Sequence, residues 1–356
     1  MSREDGSRAD GSLVDGTRRG PAGEPGRDGI EPLLSVRDLR KYYPVTSGVL
    51  GRRTGDVKAV DGVSFELYPG ETLAVVGESG CGKSTMAETL IGLTGATGGE
   101  VRFRGEPLTE RSDRTVRREV QMVFQDPFST LNERMTVGRI VAEPLVIHDE
   151  RAEDREAYVR DLLDTVGLDS AQYYRAFPHE LSGGQRQRVG VARALALNPS
   201  LVVADEPVSA LDVSIQAQIL ELLEGLQAEF GLTYLVITHD MSVVRQIADR
   251  VAVMYLGRIV ELGGVDEVFD DPKHPYTESL LSSIPRVTAD PSTDRRIRLE
   301  GSPPDPAHPP SGCNFHPRCH LYESLSGDER ARCEREDPES EEKGGRCLAC
   351  HFRPES

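Results

Sequence analysis

The sequence predicts an α/β fold, an open and mainly parallel sheet with helices packed on its faces. Three observations carry this. Strand-length apolar runs alternate with helical periodicity from about residue 71 to 262, the pattern of repeated βα units. The run Leu201-Val-Val-Ala204 is short and continuously apolar, as a parallel strand covered on both faces should be. Segment 71–77 leads directly into a glycine-rich loop and then into helical sequence from Lys83, the strand–loop–helix order that cradles phosphate.

Each element follows from its residues. Residues 1–30 are rich in Gly, Asp and Arg and poor in apolar side chains, so a disordered tail is expected. Segments 33–39, 57–67 and 71–77 read as strands, with Tyr68-Pro69-Gly70 as the turn before the last. A helix is predicted from Lys83 to about Leu93, a strand at 98–104 and a buried strand at 119–124. Helical texture fills 136–197 and breaks at Pro178. Beyond the strand at 201–204, a helix is expected at 213–230, a strand at 233–237, a helix at 241–249 and strands within 251–262. The stretch 302–310 (SPPDPAHPP) is a proline-rich spacer, and five of the six cysteines lie beyond it. The reading divides the chain into a tail (1–30), a main domain (31–270) with a helical subdomain over about 126–185, and a C-terminal extension (271–356).

Composition excludes several functions. With 356 residues and 37% hydrophobic content the chain is long enough for a large core and an appendage. No apolar run approaches the ~18–20 residues of a membrane-spanning helix. The first thirty residues hold no apolar stretch of signal-peptide type, so a chain working inside the cell is expected. The net charge is −17, and only five of the 42 basic residues are Lys. An acidic surface of this kind argues against nucleic acid as a partner. It suits a cell interior at very high salt, such as that of a halophilic archaeon, where self-repulsion is screened within a few Å.

The motifs then carry the chemistry. Gly77-Glu-Ser79-Gly80-Cys81-Gly82-Lys83-Ser84 fits the phosphate-loop pattern, with Thr85 continuing into the helix. Its glycines let backbone N–H groups curl round phosphates at a helix N-terminus. Lys83 would reach the β- and γ-phosphates, and the Ser84 hydroxyl would ligate Mg²⁺. Cys81 within this loop reads as a small filler residue. The strand ending Ala204-Asp205-Glu206 offers two adjacent carboxylates, Asp205 for Mg²⁺ and Glu206 to polarise an attacking water. Leu181-Ser182-Gly183-Gly184-Gln185 supplies a second set of hydroxyl and backbone donors at a helix start.

Together with Gln125 (Val-Phe-Gln-Asp-Pro), Ser209-Ala-Leu-Asp212 and Ile237-Thr-His239-Asp, these motifs resemble the ATP-binding-cassette ATPase family throughout residues 33–265. The resemblance implies a phosphate-loop NTPase cassette with an antiparallel β subdomain and a helical subdomain. It implies that Tyr43 stacks on adenine, Gln125 ligates Mg²⁺ or water and senses a membrane partner, and His239 contacts the γ-phosphate. Asp212 would stand at the seam of a head-to-tail dimer, in which Lys83 of one cassette faces Ser182 of the other across ATP.

Cys313, Cys319, Cys333, Cys347 and Cys350 cluster near the C-terminus. In a cytosolic setting disulfides are disfavoured, so metal ligation, by Zn²⁺ or an iron–sulfur cluster, is the leading reading. The spacings match no zinc ribbon. His274-Pro-Tyr-Thr-Glu-Ser-Leu-Leu-Ser-Ser-Ile-Pro285, Gly301-Ser-Pro-Pro, Gly312-Cys-Asn-Phe-His-Pro-Arg-Cys319 and Ala349-Cys-His351 resemble the extension of oligopeptide/dipeptide-importer ATPases. Some members hold a [4Fe–4S] cluster there, and the matching ligands are Cys313, Cys319, Cys333 and Cys350, with Cys347 as an alternate. The 13 residues between Cys319 and Cys333 exceed the usual gap.

The resemblance implies an ATPase at the cytoplasmic face of the membrane. Its partners would be a second cassette subunit, two permease subunits and an extracellular solute-binding protein. Nickel and oligosaccharide importers use similar cassettes, so cargo stays open between these and peptides. A soluble cassette acting in translation or DNA repair is the rival of another class, but the tandem cassettes or long coiled coil of those proteins are not in this sequence. A cassette whose cysteines sense iron or oxidants is a further reading.

Overall fold

The computed structural model describes residues 29–47, 52–108, 114–209, 211–284, 297–299, 301–343 and 346–352. Residues 1–28 of the expected tail, residues 48–51 and Ala210 lie outside the described residues. The strands are β1 (Leu34–Ser47), β2 (Arg52–Leu67), β3 (Thr72–Val76), β4 (Gly98–Phe103), β5 (Glu106–Pro107), β6 (Val120–Val123), β7 (Leu201–Asp205), β8 (Thr233–Thr238), β9 (Arg250–Tyr255), β10 (Arg258–Gly264), β11 (Glu341–Lys343) and β12 (Arg346–Leu348). A four-stranded antiparallel sheet runs β2-β1-β4-β5. The main sheet runs β11-β12-β10-β9-β3-β8-β7-β6.

From β6 to β9 the main sheet is parallel. Every residue of β3 (TLAVV), β7 (LVVAD) and β8 (TYLVIT) is buried, because helices cover both faces. The helices are α1 (Lys83–Leu90), α2 (Arg114–Glu119), α3 (Pro127–Thr130), α4 (Val137–Ile147), α5 (Arg155–Thr165), α6 (Ser170–Tyr173), α7 (Gly183–Leu195), α8 (Val213–Phe230), α9 (Met241–Ile247), α10 (Val265–Asp270), α11 (Pro275–Leu281) and α12 (Gly327–Arg335). A 3₁₀ turn at Pro178–Glu180 separates α6 from α7, where Pro178 interrupts the expected helical stretch. Helix α8 spans the predicted residues and stops at Gly231 in the left-handed conformation (φ 66°). Helix α1 closes at Leu90, three residues before the expected end near Leu93.

Three apolar clusters make up the core. One joins α4, α5, α7 and α8 to one face of the sheet. A second joins the antiparallel sheet and α1 to the other face. The third lies at the β9–β10 edge and takes in Tyr276 of α11 and Phe315.

That third cluster changes the picture of the extension. Strand β12 pairs antiparallel with β10 (Glu261↔Leu348, Leu262↔Cys347), so the main sheet continues into residues placed in the extension. Tyr255, Tyr276 and Phe315 pack with ring centroids 4.7–5.4 Å apart. Arg346 of β12 donates to the fully buried Glu261 of β10, which also accepts from the backbone N–H groups of Lys273 and His274 at 2.9 Å each. The extension therefore covers the edge strand that β10 would otherwise present.

Candidate nucleotide-binding site

The glycine-rich loop connects the end of β3 to the start of α1, at the C-terminal edge of the parallel strands where α/β sheets bind ligands. Close packing dictates two of its glycines. A Cβ at Gly77 would lie 2.2 Å from the Met254 carbonyl oxygen, and one at Gly82 (φ 109°) would lie 1.9 Å from that of Ala59. Lys83 is the first residue of α1 and is 5% exposed. Its Nζ donates to the carbonyl oxygens of Gly77 (2.7 Å) and Glu78 (3.1 Å), which holds the ammonium across the loop. Cys81 is buried and its thiol is pushed up by that burial, which fits the filler reading.

The acidic side of the site comes from β7 and β8. Ser84 Oγ donates to Asp205 Oδ1 at 3.3 Å. Burial raises the Asp205 carboxyl above the ordinary range, and Glu206 beside it adds to the rise. Glu206 has a left-handed backbone (φ 44°), which costs about 1–2 kcal/mol for a non-glycine residue. Its N–H donates to Ile237 O of β8 at 2.8 Å, which holds the turn in place. Both carboxylate oxygens are engaged. Gln125 Nε2 donates to Oε2 at 2.9 Å, and His239 Nδ1 lies 3.1 Å from Oε1. A carboxylate only accepts, so this contact places the hydrogen of His239 on Nδ1.

An open cavity of about 360 Å³ runs along the loop, lined by Tyr43, Ser79, Gly80, Cys81, Gly82, Lys83, Ser84, Thr85, Gln125 and Glu206. Tyr43 and Tyr42 are successive on β1 and point to opposite sides. Tyr43 is exposed on the cavity side, whereas the Tyr42 hydroxyl donates to Asp61. The structure thus brings ten of the sequence-predicted residues to one cavity, with Gly77, Asp205 and His239 bonded to them.

Ser182, Gly183, Gly184, Gln185 and Asp212 stand elsewhere, at the N-termini of α7 and α8. Ser182 caps α7: its Oγ accepts from Gln185 N (3.4 Å), and its N–H donates to Gln185 Oε1 (2.9 Å). Gly184 lets the two helices approach, since a Cβ there would meet Ile215 at 2.6 Å. Among the described residues, none of this set lines the cavity along the phosphate loop.

The cysteines divide similarly. Cys313, Cys319, Cys333 and Cys350 line one small cavity of about 20 Å³ together with Phe315, Leu321 and Leu325. Burial pushes the Cys313 thiol up to about 12 and raises Cys319 and Cys333 in the same direction. Cys347 points away from them and packs against the second core cluster. Among the described residues no three His, Cys, Asp or Glu side chains are placed to hold a metal ion.

Comparison with known proteins agrees with this architecture. The ABC transporter family matches residues 60–209. The oligopeptide transport ATP-binding protein AppF of Bacillus subtilis is 51% identical over 329 residues, covering 90% of this chain and 98% of that protein. The chain belongs to the ABC transporter ATP-binding proteins of the oligopeptide/dipeptide type. The dipeptide transport ATP-binding protein DppF of Escherichia coli is 47% identical, over 90% of this chain and 94% of its own length. A solved dimeric ATP-binding cassette in a post-hydrolysis state, bound to ADP and Pi, aligns with a TM-score of 0.57 at 30% identity, covering 65% of this chain and 98% of that one.

The family's oligopeptide/dipeptide transporter C-terminal region matches residues 260–324. It begins inside β10, so it too crosses the expected boundary at 270. It includes Cys313 and Cys319 and ends before Cys333 and Cys350. Among the described residues no helix is long and apolar enough to cross a membrane.

Sequence reading missed four residues at the cassette's loop. Glu78 lies in the loop itself, and its carboxylate accepts two hydrogen bonds from Arg318 (2.7 and 3.0 Å). Tyr276 Oη accepts from the Glu78 N–H at 2.9 Å. Pro306 of the spacer lines the nucleotide cavity, and its carbonyl accepts from Lys58 N. Arg318 and Tyr276 stood inside quoted motifs, but no spacing rule connects them to a loop some two hundred residues away.

Proposed function

We propose that this chain is the ATP-hydrolysing subunit that powers import of di- or oligopeptides, bound to the cytoplasmic face of a membrane transporter. The observation that carries it is the Glu206 carboxylate held between Gln125 and His239, beside the Ser84–Asp205 pair and the Lys83 loop. ATP would bind with adenine on Tyr43 and phosphates on residues 77–85. Ser84, Asp205 and Gln125 offer the hard oxygen donors that Mg²⁺ prefers, and bound Mg²⁺ would neutralise charge on the β- and γ-phosphates. Glu206 would orient and deprotonate the attacking water, and His239 would hold the γ-phosphate end.

Ser182, Gly183, Gly184, Gln185 and Asp212 would act on the ATP of a second cassette. Their separation from the phosphate loop within one chain supports this, as does the dimeric state of the similar solved cassette. The relatives are named for peptide transport, which supports two permease subunits and an extracellular binding protein as further partners. The acidic, lysine-poor composition supports work at high salt. The test is affinity purification of the tagged chain from gently solubilised membranes in molar salt. A second cassette, two multi-span permeases and a binding protein are expected to co-purify. Recovery from the soluble fraction alone, or with ribosomes or DNA, would overturn the transport reading.

The four cavity-lining thiols have the donor chemistry of a Cys₄ centre, and on that ground Cys313, Cys319, Cys333 and Cys350 would hold a [4Fe–4S] cluster. Such a centre would cross-link the extension by thiolate bonds. Purified without oxygen, the chain is expected to be brown and to carry about four irons. Colourless protein with stoichiometric zinc would reject the cluster and keep the metal site.

A further inference from the structure

The carboxylate of Glu78 sits in the loop that must receive the phosphates of ATP, and an unpaired negative charge there would oppose them. The structure engages every polar group of this residue. Its carbonyl accepts from Lys83 Nζ (3.1 Å), its N–H donates to Tyr276 Oη (2.9 Å), and its two carboxylate oxygens accept from the two terminal nitrogens of Arg318 (2.7 and 3.0 Å). Two of these partners come from the extension.

Arg318 is well placed to hold a fixed geometry. Its side chain is 5% exposed, and it ends the short turn His316–Arg318 between Cys313 and Cys319. Phe315, just before that turn, is wedged against Tyr255 and Tyr276, and the Tyr255 hydroxyl lies 3.5 Å from the guanidinium. A bidentate guanidinium–carboxylate pair fixes orientation as well as charge. Lysine in this place would supply the charge without the fork.

We propose that Arg318 is a positioning residue of the nucleotide site: it neutralises Glu78 and turns its carboxylate away from the phosphates, so the extension is a working part of ATP binding. The proposal rests on the reading of residues 77–85 as an ATP site. It assigns the segment between Cys313 and Cys319 a task whatever those thiols hold.

The test is a double-mutant cycle on the full chain, read as the dissociation constant of a fluorescent ATP analogue with Mg²⁺. Arg318→Gln is expected to weaken binding roughly ten- to hundredfold, because it leaves the Glu78 charge uncompensated. Arg318→Lys should fall between the two. In a Glu78→Gln background, adding Arg318→Gln should cost nothing further, since the charge it compensates is gone. A general loss of structure would not be rescued in this way. Unchanged affinity in Arg318→Gln overturns the proposal, as does an equal loss in both backgrounds. Should Arg318→Gln alone not fold, the comparison within the Glu78→Gln background decides, and a loss there overturns it. A native chain that binds no ATP would instead overturn the nucleotide reading itself.

Discussion

Lys83→Ala is expected to lose ATP binding at concentrations that saturate the native chain. The ammonium is buried at the start of α1 and lies across the loop, where it donates to the Gly77 and Glu78 carbonyls. Phosphate oxygens entering that loop would take over these donors as charge-assisted hydrogen bonds, which are about twice as strong as neutral ones. Truncating a desolvated charge partner costs about 2–5 kcal/mol, and every 1.4 kcal/mol is about tenfold in affinity. The expected loss is therefore roughly 30- to 4,000-fold. Equilibrium titration with a fluorescent ATP analogue checks it, alongside thermal unfolding of the variant without nucleotide. The second measurement matters because Lys83 also ties the loop to itself. An affinity within about threefold of native would sink the assignment of this loop to phosphate binding, since the threshold is far smaller than the loss the charge argument requires.

The parts of this molecule that were legible in its sequence are those governed by local rules. Leu201-Val-Val-Ala204 is apolar throughout because both faces of β7 are buried, and such a run needs no tertiary knowledge to be read. The loop from Gly77 to Ser84 was legible because its spacing and its glycines answer a local steric demand, as at Gly82 beside the Ala59 carbonyl. Helix α8 declares both of its ends, after Asp212 and at Gly231.

What stayed hidden depends on contacts across the chain. Strands β11 and β12 have three residues each, too few to show a period, so the continuation of the sheet past residue 270 left no trace. The Arg318–Glu78 pair spans 240 positions, and nothing in either residue's neighbourhood points to the other. The cysteines were intermediate. Their clustering was visible, but the separation of Cys347 from the other four depends on its pairing with Leu262 in the sheet.

Glu206→Gln is expected to separate ATP binding from hydrolysis. The substitution keeps the length and planarity of the side chain and a residue type that tolerates the left-handed turn no worse than Glu. What it removes is the negative charge and one acceptor. Gln125 Nε2 and His239 Nδ1 both address carboxylate oxygens in the native chain. An amide offers an oxygen to only one of them and an N–H₂ to the other, and it cannot take a proton from water. General-base catalysis by a placed carboxylate contributes roughly 10²–10⁴-fold, so steady-state turnover should fall by about that factor. Affinity for ATP should hold or rise, because a negative charge beside the incoming phosphates is gone. The Asp205 carboxyl, which Glu206 helps to raise, should also fall toward its ordinary range and bind cations more readily. With hydrolysis blocked, ATP would keep bridging two cassettes. A dimer should then accumulate on a sizing column with ATP and Mg²⁺ for Glu206→Gln, but not for Lys83→Ala. Turnover at the native rate would refute the role given to Glu206. Slow turnover without a dimer would leave that role in place and count against the head-to-tail arrangement.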